Sequence, residues 1–462
     1  MLGFSPSKSL SQILGYKFIP LNSILTAFIL ILTLRRFYKN EKKIKKRIKV
    51  VFLPKTLFTQ DLENIFLPED NEMELYYISR EPLKILAKRL FPETLNEYNY
   101  LSEDNKDIQI KKKKLEKHWF YSLKIFSFIT KTKCFLTSAY YLRDQHEFAK
   151  AALANNIYFI ALHKEGLTTP ITRLARESVF KDSGGPFYGS MIVTQNQEEK
   201  DTLVKAGCLE KDRIFVTGCP RIDPFFNSHG EVKPRYFDKG FSLSASDISQ
   251  LQKRKFDIVF FSFDPEAYLP IFRGKPKWPR NFKGKKINPW DWSKLVERFH
   301  SFVFDFAKAY PDLDVALKVK QGYKIPLNLK NRSIPKNLKI FSTGEGGILA
   351  ANAKVISAFN TTVIFESIAS RTPVIVPAFE EACLNSSEKE IGTLQLESAV
   401  DYAENEKQFE KLILEKISNY SKISKTFSDQ EKQILKRYIG SYDGKAGVRT
   451  RNVILDHIRS DL

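Results

Sequence analysis

The sequence predicts an α/β protein built on two open, largely parallel sheets. Short apolar runs recur at Lys49–Leu53, Cys134–Thr137, Ile157–Leu162, Met191–Thr194 and Arg213–Thr217, then at Phe256–Phe261, Asp314–Val319 and Leu338–Phe341. Such runs suit parallel strands covered on both faces. Helix-like segments such as Gln197–Gly207 and Trp292–Tyr310 alternate with them. The rhythm breaks at Asn227–Gln252, where Gly, Pro, Ser and charged residues lack periodicity, and an interdomain linker is expected there. A chain of 462 residues suits two domains with attachments.

The N-terminal attachment comes first. Phe18–Leu34 is apolar and near the lower limit for spanning a bilayer, about 17 residues. Nine Lys/Arg and one Glu follow within Arg35–Lys49. Positive charge after the apolar core argues against a cleaved signal peptide. The segment is expected either to span once, with the remainder on the cytoplasmic face of the inner membrane, or to lie as an interfacial helix on anionic lipid. A hydrophobic helix packed on the soluble body is the bland alternative. Overall 74 basic against 53 acidic residues leave a charge of +21 and call for an anionic partner. The crowding of charge beside the apolar segment favours a membrane surface, and no nucleic-acid partner is expected. A hydrophobic share of 43% and 37 Phe exclude a disordered chain. Four scattered cysteines suggest neither a zinc site nor a disulfide framework.

The first domain is expected over 48–235, opening with the strand Lys49–Leu53 and a helix from Leu62. Within it Glu103–Lys117, with Lys111–Lys114 consecutive, reads as a solvated loop or helix face. The second is expected over 250–435. Its Pro265–Pro289 stretch, rich in Pro, aromatic and basic residues, is either a functional loop or disordered. Lys407–Lys436 reads as helical, and a last helix runs from about Gly447 within a terminal segment 436–462.

Lys354–Phe379 reads as two buried strands around one helix: Val355–Phe359, then Val363–Ala369, a Thr372-Pro373 turn, and Val374–Val376. Pro cannot continue a helix, and the flanking β-branched residues favour extended backbone. Asn360, Thr361 and Thr362 can cap that helix and offer a phosphate seat, with Glu366 a turn inside, where a ribose is reached. The plain alternative is one more βαβ unit with Glu366 facing solvent. His163-Lys164-Glu165-Gly166 follows the strand Ile157–Leu162, and strand carboxyl ends are where ligands sit in open α/β sheets. His163 and Glu165 suit a general base and Lys164 a phosphate partner; a structural His is the other reading. Lys318 and Lys320 share one strand face and either grip a diphosphate or are simply solvated on an edge strand. Ser342–Gly347 is Gly-rich but lacks the Lys-Ser/Thr of a phosphate-binding loop. Asp182–Pro186 matches a serine-protease nucleophile segment without any of its context, a coincidence.

Several of these segments resemble GT-B glycosyltransferases, chiefly bacterial surface-carbohydrate biosynthesis proteins. The resembling segments are ESIASRTPVIV, the HKE turn at His163–Glu165, VTGCPRID at Val216–Asp223, and Tyr442–Ala446 (YDGKA), which also resembles glycerophosphotransferase relatives. The likeness implies two Rossmann-like domains facing a central cleft, with the C-terminal helix crossing back to the first. It implies a nucleotide-sugar donor as substrate, a glycan or lipid-linked acceptor, no bound cofactor and no metal. Donor contacts would fall to Lys318, Lys320, Asn360, Thr361, Thr362 and Glu366, the acid that holds the ribose in the family. Glu165 or His163 would be catalytic, and Lys164, Gly218, Arg221, Asp443 and Lys445 would line the cleft. Retaining members often carry a second Glu eight positions before the ribose acid; Ala358 stands there, so a paired-Glu mechanism is not implied. The alternatives are a transferase of glycerol or ribitol phosphate from a CDP-linked donor, a basic nucleic-acid-binding protein, and a non-catalytic remnant of the fold. As bland readings, Gly218-Cys219-Pro220 is a tight turn with an Arg221–Asp223 ion pair, and the Asp443 turn is a helix cap.

Overall fold

The computed structural model of the chain describes residues 22–38, 47–55, 58–67, 69–97, 99–163, 166–181, 185–227, 255–272, 275–319, 332–342, 346–422, 424 and 426–460. Two compact units emerge. Unit 1 comprises residues 1–166, 177–221 and 445–462, and unit 2 comprises 167–176 and 222–444. The linker expected at 227–252 falls almost wholly outside the described residues.

Unit 1 begins with helix α1 (Ser23–Thr33), whose Asn22 side chain accepts from the Ile24 and Leu25 N–H groups. The short strand β1 (Arg35–Arg36) follows, then β2 (Ile48–Phe52), α2 (Phe58–Ile65), β3 (Met73–Tyr77) and α3 (Glu81–Leu90), which starts on Pro82. Helix α4 (Lys106–Thr130) is capped by Asn105 and ended by Lys131 in the left-handed region. Next come β4 (Thr132–Thr137), α5 (His146–Leu153), β5 (Tyr158–His163), α6 (Pro170–Val179), of which residues 170–176 belong to unit 2, β6 (Met191–Thr194), α7 (Gln197–Lys205) and β7 (Ile214–Val216). The strands form one sheet in the order β1-β3-β2-β4-β5-β6-β7, parallel except for β1. Parallel pairing requires crossovers, which the helices supply.

Unit 2 takes α8 (Asp223–Asn227) and then β8 (Phe256–Phe261). The Pro-rich stretch after β8 is ordered into two antiparallel ribbons, β9 (Ile271–Phe272) with β10 (Lys275–Pro276), and β11 (Asn281–Phe282) with β12 (Lys285–Lys286). Lys283 and Gly284 both have positive φ in the second turn, as a tight hairpin demands. Helix α9 (Ser293–Ala309), β13 (Val315–Lys318), β14 (Leu338–Phe341), α10 (Gly346–Ala351), β15 (Ala353–Ser357), α11 (Val363–Ala369), β16 (Val374–Pro377), α12 (Ser387–Gly392), β17 (Asp401–Ala403), α13 (Glu406–Ser418) and α14 (Asp429–Ile439) complete it. The parallel sheet runs β14-β13-β8-β15-β16-β17. Phe299, Phe302 and Phe306 of α9 pack on Phe260 of β8, and Phe302 meets Phe409 of α13 with ring centroids 4.6 Å apart. Lys407–Lys436, expected as one helical stretch, is two helices; a Ser428–Glu431 capping box starts the second and Gly440 at φ 79° ends it.

The last helix, α15 (Ala446–Arg459), belongs to unit 1. Arg451 donates to both Asp70 oxygens, at 2.6 and 2.9 Å, and to Glu72 at 2.7 Å. Arg449 donates to the Thr217 carbonyl at 2.9 Å.

Two expectations change. No helix among the described residues is long and apolar enough to cross a membrane. Helix α1 has 11 residues, roughly 16 Å against the ~30 Å of a hydrocarbon core. The Lys111–Lys114 run is not wholly solvated, because Lys112 is buried. Its ammonium donates to the Tyr100 carbonyl and lies 4.6 Å from the centre of the Tyr100 ring.

Unit 1 also buries histidines in their neutral form. Burial lowers His118 on α4 to about 4, and burial with nearby Lys150 and Lys112 lowers His146 on α5 to about 3. The folded pKa values lie below the unfolded 6.5, so the stabilisation is complete above that pH and is lost as pH falls towards the folded values. Unfolding stability followed from pH 6.5 to pH 4 is therefore expected to drop less steeply in His118→Gln than in the wild type, a comparison made by urea titration at each pH.

Candidate functional site

In each unit candidate residues end parallel strands, His163 at β5 in unit 1 and Lys318 at β13 in unit 2. The turn after β15 in unit 2 carries others. The chain leaves that strand through Ala358 and Phe359 and turns at Asn360, which adopts φ 43°, a left-handed backbone that Asn tolerates better than most residues. The sequence predicts an Asn360 that caps the following helix, but the structure puts its side chain elsewhere. The buried amide donates to the Gly392 carbonyl at 2.9 Å and to the Ala267 carbonyl at 3.4 Å, and accepts from the Leu394 N–H at 3.0 Å. Thr362 stands at the helix N-cap in helical conformation, with no side-chain hydrogen bond to the first turn. Thr361 precedes it, half-buried. The cap is therefore made by backbone alone, because the Asn360 side chain is committed to two other segments, at Ala267 and at 392–394.

Glu366 follows on α11, half-buried. Its carboxylate lies against Gly347 at the start of α10, where an added Cβ would collide with both the Glu366 oxygen and the Phe225 ring. The last glycine of STGEGG thus makes room for an acid and an aromatic ring; residues 343–345 lie outside the described residues. Lys318 ends β13, an interior strand between β14 and β8, which replaces the edge-strand reading. Its ammonium donates to the Val319 carbonyl at 2.8 Å, and burial holds its pKa below the ordinary lysine value. Lys320 lies outside the described residues.

Beside Asn360, a small hollow of about 10 Å³, room for no more than a water, lies among Phe359, Pro377, Lys389, Thr393 and Tyr402. Lys389 sits 4.6 Å from the Tyr402 ring centre, and burial pushes the Tyr402 phenol up to about 12. Trp292 is buried against Phe359 with centroids 5.1 Å apart and donates through Nε1 to the Ala267 carbonyl at 3.1 Å. Gly392 permits Trp290 and Trp292 to approach its backbone: a Cβ there would lie 2.8 and 2.9 Å from them. Sequence reasoning missed Lys389 and Tyr402, which sit far from any motif.

In unit 1, His163 is the last residue of β5, and its side chain is buried at 2% exposure. Its Nε2 lies 2.9 Å from Glu199 Oε1, off the hydrogen-bond line, and the rings of Tyr140 and Tyr141 stand edge-on to the imidazole at 5.3 and 6.0 Å. Burial, with Cys208 and Glu199 nearby, holds the Tyr140 phenol well above its ordinary value, and burial pushes the Cys208 thiol up to about 12. Glu199 was hidden from sequence reasoning because it occupies the first turn of a helix that Asn196 caps, accepting from the Glu199 N–H at 2.8 Å. Lys164 and Glu165 lie outside the described residues.

The Val216–Asp223 turn uses Gly218 at φ 99°. Arg221 pairs with Asp61 of α2 at 3.4 Å. Asp443 and Lys445 are exposed; Lys445 is the N-cap of α15 and makes no side-chain cap bond.

Asn360→Ala removes three hydrogen bonds from buried backbone partners and places Ala at positive φ, so a loss of about 3 kcal/mol is expected. Asn360→Gly, which relieves the backbone and still lacks the bonds, should lose less. Chemical denaturation of both variants measures the difference.

No family model and no curated protein matches the chain. Among solved structures it is similar to the wall teichoic acid polymerase TagF, with a TM-score of 0.52 and 11% identity over 100% of both chains. It is also similar to a putative UDP-N-acetylglucosamine 2-epimerase from Listeria monocytogenes, with a TM-score of 0.50 and 12% identity over 90% of this chain and 97% of that one. At such identities the likeness is one of fold, and the fold is of GT-B type.

Proposed function

We propose that the chain is a glycosyltransferase that moves a sugar from a nucleotide-linked donor to a surface-polysaccharide or lipid-linked glycan acceptor. The observation that carries this reading is the Glu366 carboxylate, lodged against Gly347 on the helix that follows β15 in a GT-B fold. A carboxylate there suits the two hydroxyls of a ribose. Lys318, at the end of β13, is the cation for the departing phosphate, and its partial burial strengthens its pull on an anion. Thr361 and Thr362 add hydroxyls and N–H groups beside it.

The base that takes the acceptor hydroxyl proton is assigned to the turn after β5. His163 is sealed from solvent beside Glu199 and so serves as a positioning residue. The base is Glu165, two residues on. As the acceptor oxygen bonds to the donor's reacting carbon, the bond to the nucleotide phosphate breaks, and the proton passes to the Glu165 carboxylate. A second reading, transfer of glycerol or ribitol phosphate from a CDP-linked donor, is favoured by the fold likeness to a wall teichoic acid polymerase and by the Asp443-Gly444-Lys445-Ala446 turn.

Thermal-shift titration with CMP, CDP, UDP and GDP is expected to give stabilisation by one nucleotide that disappears in Glu366→Ala, and stabilisation by none would reject the reading. A cytidine nucleotide as the stabilising ligand selects the second reading if CMP release then accompanies polyol-phosphate transfer. Once the donor is identified, Glu165→Gln should lower kcat about 10²–10⁴-fold with an unchanged melting temperature. His163→Gln should lower the melting temperature as well.

A further inference from the structure

Helix α1 is built inside out. Towards the protein it turns Thr26, Ala27, Ile29, Leu30 and Thr33, two of them hydroxyl residues and one the smallest side chain of the helix. Outward it turns Ile24, Leu25, Phe28 and Leu32, each 43–60% exposed. A helix packed on a water-facing domain does the reverse, burying its bulk and wetting its small or polar residues. Its outer face therefore suits an apolar medium.

The same holds for its neighbour. Helix α1 packs along α4, with Ser23 Oγ 3.4 Å from His118 Nδ1. On α4, Ile110, Tyr121, Phe128 and Ile129 are exposed, Phe128 at 75%. Ile110, Tyr121 and Phe128 are spaced by eleven and seven residues, so they fall on one line of the helix. Exposed Lys114, Lys117 and Lys124 interleave with them on that line, and Lys113 flanks it. Lys131 lies 4.6 Å from the Phe128 ring centre. His118, which Ser23 touches, is one residue round the helix from Lys117, so α1 lies beside this stripe. Of the thirteen large apolar side chains exposed among the described residues, eight are on these two helices, which marks a patch rather than scatter.

We propose that α1 and α4 together form an in-plane docking surface for an anionic lipid bilayer. The outer face of α1, with Phe128 and Ile129, enters the acyl boundary. The α4 lysines meet the headgroup phosphates, their stems lying along the apolar stripe. Length fits this and not a span: roughly 16 Å of helix lies in an interface but does not cross ~30 Å of hydrocarbon. Alternating bulk and positive charge separates a lipid surface from a nucleic-acid groove, where outward Phe, Leu and Ile would meet only phosphate and water. The inference does not depend on the transfer reaction.

Flotation of the full chain with vesicles tests it, comparing phosphatidylcholine alone with phosphatidylcholine mixed with phosphatidylglycerol. The wild type is expected to float with the mixed vesicles. Phe28→Asp/Leu32→Asp, and separately Phe128→Asp/Ile129→Asp, should weaken that binding about tenfold or more with an unchanged melting temperature, since the substituted side chains are exposed. Lys117→Gln/Lys124→Gln should remove part of the dependence on phosphatidylglycerol, and Ile334→Asp, exposed on unit 2, should change nothing. Undiminished flotation of both Asp variants would overturn the proposal. So would a vesicle-independent dimer that the same substitutions dissolve, because the face would then belong to a second copy of the chain.

Discussion

In unit 2 the parallel pairing of β15 with β8 on one side and β16 on the other sets the position of everything else. Ile356 stands opposite Val259 in one register and Val374 in the other. Parallel strands deliver all their carboxyl ends to one edge, and the chain must return through a helix before it can add the next strand. Lys318, Asn360 and Pro377 consequently arrive at a common edge from stretches far apart in sequence. Glu366 is placed by the first turn of the return helix. The chemistry assigned to the unit follows from that single constraint.

Much of this was legible because burial on both faces leaves a plain mark. Val363–Ala369 and Leu338–Phe341 are found at the residues expected, and most other strands agree to within a residue or two. Strand β3 was not legible: Met73–Tyr77 reads MELYY, with Glu74 inside it, and a charged residue hides a strand from a search for apolar runs. Glu74 is accommodated because Arg36 of the adjacent β1 donates to it. The Lys111–Lys114 run misled for the opposite reason. Its composition says solvent, while helical geometry turns one of four consecutive residues inward, where Tyr100 and Glu147 await it.

The candidate site was legible at the level of segments and not of contacts. Asn360 was singled out by its place between strand and helix, but its partners are Ala267, Gly392 and Leu394, which no spacing rule connects to it. Glu199 carries the same lesson for His163. A carboxylate in the first turn of a capped helix looks like an ordinary complement to the helix dipole until the sheet brings a histidine beneath it. Gly347 was noted only as part of a Gly-rich run without a phosphate-loop signature; its missing side chain is what the neighbouring acid and ring require.

The triple attachment of Asn360 bears on how a guest would be received. A turn tethered by three hydrogen bonds to two separate loops has already surrendered its freedom before anything arrives, so little ordering entropy is left to be lost on association. Selectivity at this corner then comes from shape held in advance rather than from closure around whatever enters, and a poorly fitting molecule finds no compliant wall to remodel.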